Sequence, residues 1–101
     1  MLTAAYLRAR LSYDPDTGEF RWLACEDMPR NWATRFVGKK AGCLNKAIGY
    51  VAIMLDGQLY YAHRLAWLYV TGEWPAEEVD HWDRDGSNNR WRNLREATSQ
   101  Q

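Results

Sequence analysis

Val79-Asp80-His81-Trp82-Asp83-Arg84-Asp85-Gly86-Ser87-Asn88-Asn89-Arg90-Trp91-Arg92-Asn93-Leu94 is the stretch on which the fold turns. Glu78 to Trp82 reads as a short strand, Asp83 to Asn89 as a polar loop containing Gly86, and Leu94 to Ala97 as a second strand. The chemistry lies in Asp80-His81. Hydrolysing a phosphodiester takes a base to activate water and a divalent cation to hold the phosphate and stabilise the leaving oxygen, and a carboxylate beside an imidazole suits both needs. Strand neighbours point to opposite faces, so the two converge only if the strand bulges, ends or lies at an edge there.

Upstream, Gly49 to Leu55 and Gln58 to Ala62 flank Asp56-Gly57, a link that predicts a hairpin with a type I′ turn. From His63 the period changes. Leu65, Leu68 and Tyr69 share a helical face, Gly72 stands where a C-cap would, and Pro75 follows, predicting a helix of about two turns. Thr3 is placed to cap a short helix carrying Tyr6, Leu7 and Leu11 on one face. Asp14-Pro15-Asp16-Thr17-Gly18 is a turn by its residue chemistry, Glu19 to Leu23 reads as a strand, and a long connection follows. Thr98 or Ser99 would cap a further helix just as the sequence reaches Gln101.

With 101 residues the chain is expected to form one domain, spanning 1–101, with helix, strands and a basic loop over 1–59 and the motif region over 60–101. Thirteen Lys and Arg balance thirteen Asp and Glu, so any affinity for nucleic acid must come from local patches. Six Trp and six Tyr against two Phe supply large side chains for a small core, and Trp67, Trp74, Trp82 and Trp91 are expected to serve as core or lid residues. No apolar run approaches the roughly 20 residues of a membrane helix, and Cys25 and Cys43 lack disulfide or zinc-knuckle spacing. The expectation is a cytoplasmic protein with reduced thiols. A zinc site from Cys25, Cys43, His63 and His81 has no recognisable ligand spacing.

Between Asp27 and Asp56 there is no acid, while Arg30, Arg35, Lys39, Lys40 and Lys46 alternate with Trp32, Phe36 and Tyr50. Such a stripe can neutralise phosphates, and a solvated loop is the competing reading. Arg64 and, between 84 and 95, the residues Arg84, Arg90, Arg92 and Arg95 add further cations. Contacts of this kind would position DNA without reading its sequence.

From Tyr60 to Thr98 the sequence YYAHRLAWLYVTGEWPAEEVDHWDRDGSNNRWRNLREAT resembles the small HNH endonucleases of bacteriophages, homing-type nicking enzymes among them. YDPDTGEFRW at Tyr13 to Trp22, AGCLNKAIGY at Ala41 to Tyr50 and the Asp56-Gly57 hairpin resemble their N-terminal part, so the likeness runs through most of the chain. It implies an α+β fold with short antiparallel hairpins, a central helix and a ββα-metal unit holding one divalent ion, Mg or Mn. Asp80 matches the metal-ligating Asp, His81 the general base, and Asn93 the Asn that braces the loop and orients the His.

Two departures stand out. The family's loop usually reads like HIDGD, whereas this chain has His81-Trp82-Asp83-Arg84-Asp85-Gly86, leaving Gly86 as the expected turn residue. The family's last motif residue, a His or Asn on the closing helix, would fall just after Gln101, leaving the ββα unit truncated. Asp83 and Asp85 are conceivable substitute ligands but read better as loop-forming residues. His63 reads as a hydrogen-bonded structural residue. The functional expectation is therefore a phage or prophage DNA endonuclease acting in the bacterial host cell. Its rival is a non-catalytic HNH-derived protein that binds DNA or, like an anti-CRISPR protein, inhibits a host nuclease complex.

Overall fold

A computed structural model describes residues 2–24 and 29–97. In chain order they form α1 (Ala4–Arg10), β1 (Leu11–Tyr13), β2 (Phe20–Trp22), α2 (Arg30–Phe36), β3 (Cys43–Asn45), β4 (Tyr50–Leu55), β5 (Gln58–Tyr61), α3 (Ala62–Thr71), β6 (Glu78–His81), a 3-10 turn (Trp91–Asn93) and β7 (Leu94–Ala97). The fold is α+β, with three small antiparallel sheets ordered β1-β2, β3-β4-β5 and β6-β7. Cys25 and the proposed cap at Thr98 or Ser99 lie outside the described residues, among which no helix is long and apolar enough to cross a membrane.

Local chemistry accounts for most of these elements. The Thr3 hydroxyl accepts from the Tyr6 amide at 3.2 Å and starts α1. That helix ends at Arg10, so Leu11 is the first residue of β1 rather than part of the helical face. Asp56 and Gly57 both take positive φ, 50° and 79°, as a type I′ turn requires. The Asp56 carboxylate also accepts from Arg10 at 2.9 Å and from the Tyr6 hydroxyl, which ties α1 to the hairpin.

Tyr61 ends β5 and is at once the N-cap of α3, so Ala62 belongs to the helix and not to the strand. Without a connecting loop, the helix gains residues at its start and runs for ten residues, longer than two turns. Gly72 stops it in the left-handed region at φ 87°, its amide bonded to the Leu68 carbonyl at 2.9 Å. Leu65 and Leu68 turn inward against Leu7, Leu11, Phe20, Ile53 and Leu55, and α3 touches α1, β4, β5 and β6.

The long connection expected after Leu23 contains α2 and β3. The helix buries no residue and is held by rings: Trp32 packs edge-on against Trp22 at 5.4 Å and, tilted, against Phe36 at 5.2 Å. Of the four Trp expected in core or lid, Trp67 and Trp91 pack together at 5.1 Å and Trp74 stacks on Tyr60, but Trp82 is 66% exposed. It lies outside the core because it follows Asp80 on the outer face of its strand.

The turn at 14–18 docks on the loop before β7. Gly18 has φ 79°, and a Cβ there would lie 2.4 Å from the Asn89 carbonyl carbon and the Arg90 amide. Gly18→Ala therefore combines a forbidden backbone angle with a clash against main chain, and should cost about 2 kcal/mol or more. A thermal melt should show Tm lowered by on the order of 10 °C. A Tm within about 2 °C of wild type would mean that the turn is not docked in this way.

Candidate active site

β6 and β7 form a two-stranded ribbon in which Asp80 faces Arg95 and His81 faces Leu94. The strand's alternation divides the motif between two faces. Val79, His81 and Leu94 are buried on the inner face, while Asp80 and Arg95 lie outward. Arg95 donates to Asp80 Oδ2 at 3.1 and 3.3 Å and lies 4.3 Å over the Trp82 ring. Asp80 Oδ1 accepts from the His81 amide at 3.0 Å.

His81 is 3% exposed. Its Nε2 lies 2.8 Å from Asn89 Oδ1, and an amide oxygen can only accept, so Nε2 is the donor and Nδ1 is the nitrogen that carries the lone pair whenever the ring is neutral. Tyr50 stacks on the ring at 5.8 Å and 22°, and His63 meets it edge-on at 4.8 Å. His63 is itself buried, with no hydrogen-bond partner for Nδ1, so it is a packed ring rather than the hydrogen-bonded residue expected. Burial, then the neighbouring His81 and Arg64, push its pKa down to about 4, against the opposing pull of Asp80.

Asn89 is held from several directions. Its carbonyl accepts from the Tyr13 hydroxyl at 2.5 Å, and on its C-terminal side Arg90 Nε donates to the Asp16 carbonyl and the Trp91 amide to the Pro15 carbonyl, each at 3.0 Å. The residue touching the imidazole is thus Asn89, not Asn93. A contact between the 14–18 turn and residue 89 leaves no local mark in sequence. Only the identity of Asn89, an amide in a loop after an Asp-His pair, gave a signal.

Asn93 does brace the loop. Its Oδ1 accepts from the Asp83 amide at 3.1 Å, while Nδ2 donates to Asp83 Oδ1 and the Asn88 carbonyl, both at 2.9 Å. Asp83 also accepts from Asn88 Nδ2 and the Asp85 amide. Led by the Asn88 bond, these contacts hold its carboxyl down at about 2. The left-handed turn falls at Arg84, φ 64°, and not at Gly86. Gly86 is needed for another reason: a Cβ there would lie 1.9 Å from the Gly49 carbonyl oxygen. Arg84 stands three residues after His81, where the HIDGD pattern places its Gly.

Residues 60–101 match the HNH endonuclease family. That segment carries an HNH-type motif. Its fold is similar to a solved structure described as DNA binding and cleavage by the HNH homing endonuclease I-HmuI, with a TM-score of 0.62 and 26% identity over 90% of this chain and 48% of that one. The chain spans about half the length of that protein. No curated protein matches it.

Among the described residues, no three His, Cys, Asp or Glu side chains gather to hold a metal ion. Next to His81 the ribbon offers the carboxylate of Asp80, half-exposed and shared with Arg95. One carboxylate with water and substrate phosphate suits a Mg²⁺-like cation. A tetrahedral zinc cage does not fit, since His63 and His81 are packed as rings and Cys43 is exposed.

The cations expected to meet phosphate are dispersed. Arg35, Lys39, Lys46, Arg84 and Arg92 are exposed, and Arg64 lies 5.9 Å over the Trp74 ring. Arg90 and Arg95 are engaged with Asp16 and Asp80. Lys40 of the 30–46 stripe lines a small cavity, of about 100 Å³, together with Ser87 and Asn89.

Two outcomes are expected. Arg84→Gly should raise stability by up to about 1 kcal/mol and Arg84→Val should lower it, in urea melts, because a left-handed angle suits Gly and penalises β-branched residues. The reverse order would exclude the strained turn. For His63, the unfolded chain takes a proton near 6.5 and the folded one near 4, so stability is complete above pH 6.5 and falls as pH drops toward 4, by up to about 3 kcal/mol. Urea midpoints from pH 7 to pH 4.5 should show that fall in wild type and less of it in His63→Phe.

Proposed function

We propose that this chain is a phage-type HNH endonuclease that hydrolyses a DNA phosphodiester bond with one divalent cation, Mg or Mn, in a bacterial host cell. The observation that carries the proposal is the Asn89–His81 hydrogen bond, which takes up Nε2 and makes Nδ1 the nitrogen that would accept a proton from water. Asn93 and Asp83 keep the loop closed, so that Asn89 stays in place. Asp80 would hold the cation, which when bound supplies charge to the scissile phosphate and the leaving oxygen. Arg95 then serves as a cationic partner that can turn from Asp80 to a phosphate oxygen. Lys40 and Arg84 add positive charge around the loop, with Arg64, Arg92, Arg35, Lys39 and Lys46 further along the DNA and Arg90 holding the loop to the 14–18 turn. The likeness to a homing endonuclease that binds and cleaves DNA supports DNA as the substrate.

One observation favours a second reading. His81 is 3% exposed and Arg95 occupies Asp80, an arrangement that also suits an HNH scaffold serving as a binding protein, for DNA or for a host nuclease complex.

Plasmid relaxation separates the two. Wild-type protein with Mg²⁺ or Mn²⁺ should nick supercoiled plasmid. EDTA should stop it, and His81→Ala should reduce it at least about 100-fold with the fold intact. Absence of nicking by folded wild-type protein, with DNA still retarded in a gel, would discard the enzyme in favour of the binding protein.

A further inference from the structure

We infer that His63 is a positioning residue for His81, fixing by ring contact the direction in which the free nitrogen of His81 points. The inference rests on the proposed nuclease activity for its purpose but not for its geometry.

A single hydrogen bond from Nε2 to Asn89 anchors one corner of the His81 imidazole and leaves rotation about that bond open. Two further rings remove this freedom. Tyr50 stacks on His81 at 5.8 Å, and His63 meets it at 4.8 Å with an interplanar angle of 63°. The aromatic quadrupole favours both arrangements, stacked and edge-to-face. His63 is clamped in turn, by Tyr61 stacked at 5.7 Å and 12° and by Tyr50 at 4.9 Å. Its backbone belongs to the first turn of α3, so the ring cannot drift away from β6 without moving the helix.

The contact is one of shape, since Nδ1 of His63 is buried with no hydrogen-bond partner. A proton relay would need a nitrogen-to-nitrogen bond between the imidazoles. The charged and titratable groups acting on His63 are His81, Arg64 and Asp80, and together with burial they leave it a neutral ring near pH 7. It can therefore pack against His81 without adding a second positive charge.

The test uses variants that separate ring from nitrogen. In the plasmid assay, His63→Phe should keep kcat within about 3-fold of wild type, whereas His63→Ala should lose at least about 10-fold, with KM for DNA unchanged in both. Should His63→Ala fail to fold, His63→Leu, which fills volume without a flat face, takes its place. A second readout is independent of cleavage. In metal-free protein near neutral pH, ¹⁵N-detected ring signals of His81 should show one Nε2-protonated tautomer in wild type and His63→Phe, and averaging of the two ring nitrogens in His63→Ala. Equal loss of kcat in Phe and Ala would overturn the inference, because the nitrogen would then be the functional part. Unaltered kcat and ring signals in the folded Ala variant would overturn it as well. If wild type does not nick DNA, the nuclease proposal falls and the ring signals alone decide for or against His63.

Discussion

The hydrogen bond between Asn89 and His81 joins a buried imidazole to a loop that has little apolar surface of its own. Residues 82–90 include three charged side chains before Gly86, and a segment of that kind cannot be closed by hydrophobic burial. It is closed instead by short hydrogen bonds, each worth roughly 1 kcal/mol net. Asp83 and Asn93 exchange bonds at the loop's base, and Tyr13, Pro15 and Asp16 hold its far side from another sheet. The N-terminal hairpin is therefore part of the site. It holds in place the residue that hydrogen-bonds His81.

The same ribbon explains why Asp80 and His81 have different environments although they are neighbours. Alternation sends one outward to Arg95 and the other inward among rings. An exposed ion pair contributes little to stability, so Arg95 can exchange Asp80 for another anion at small cost. The inner face has no such latitude. There, His81 is constrained by an amide, a tyrosine and a second histidine, and moving it disturbs α3, β4 and the loop together.

How much of this was legible in the sequence follows from the range of each interaction. The Thr3 cap, the Asp56-Gly57 turn and the Gly72 stop depend on backbone chemistry within a few residues, and all are visible as residue types. The divergence of Asp80 and His81 was likewise implied by strand alternation. What sequence could not supply is contact across the chain. The α2 helix leans on Trp22 through Trp32, and Asn89 is held by a turn some seventy residues earlier. The family likeness pointed to Asn93 as the residue orienting the imidazole. It holds the loop's frame, and Asn89, four residues earlier, makes the contact.

Arg84 shows how firmly that frame is held. A long side chain at φ 64° pays a conformational penalty that Gly would avoid, and such outliers persist only where the surroundings over-determine them. Here the surroundings are identifiable: the Asp83 amide is fixed by Asn93, the Asp85 amide by the Asp83 carboxylate, and the Arg84 amide by the His81 carbonyl at 3.0 Å. With both neighbours pinned, the chain can pass through position 84 only with a left-handed turn. The arginine's guanidinium stays exposed on the loop between His81 and Asn89.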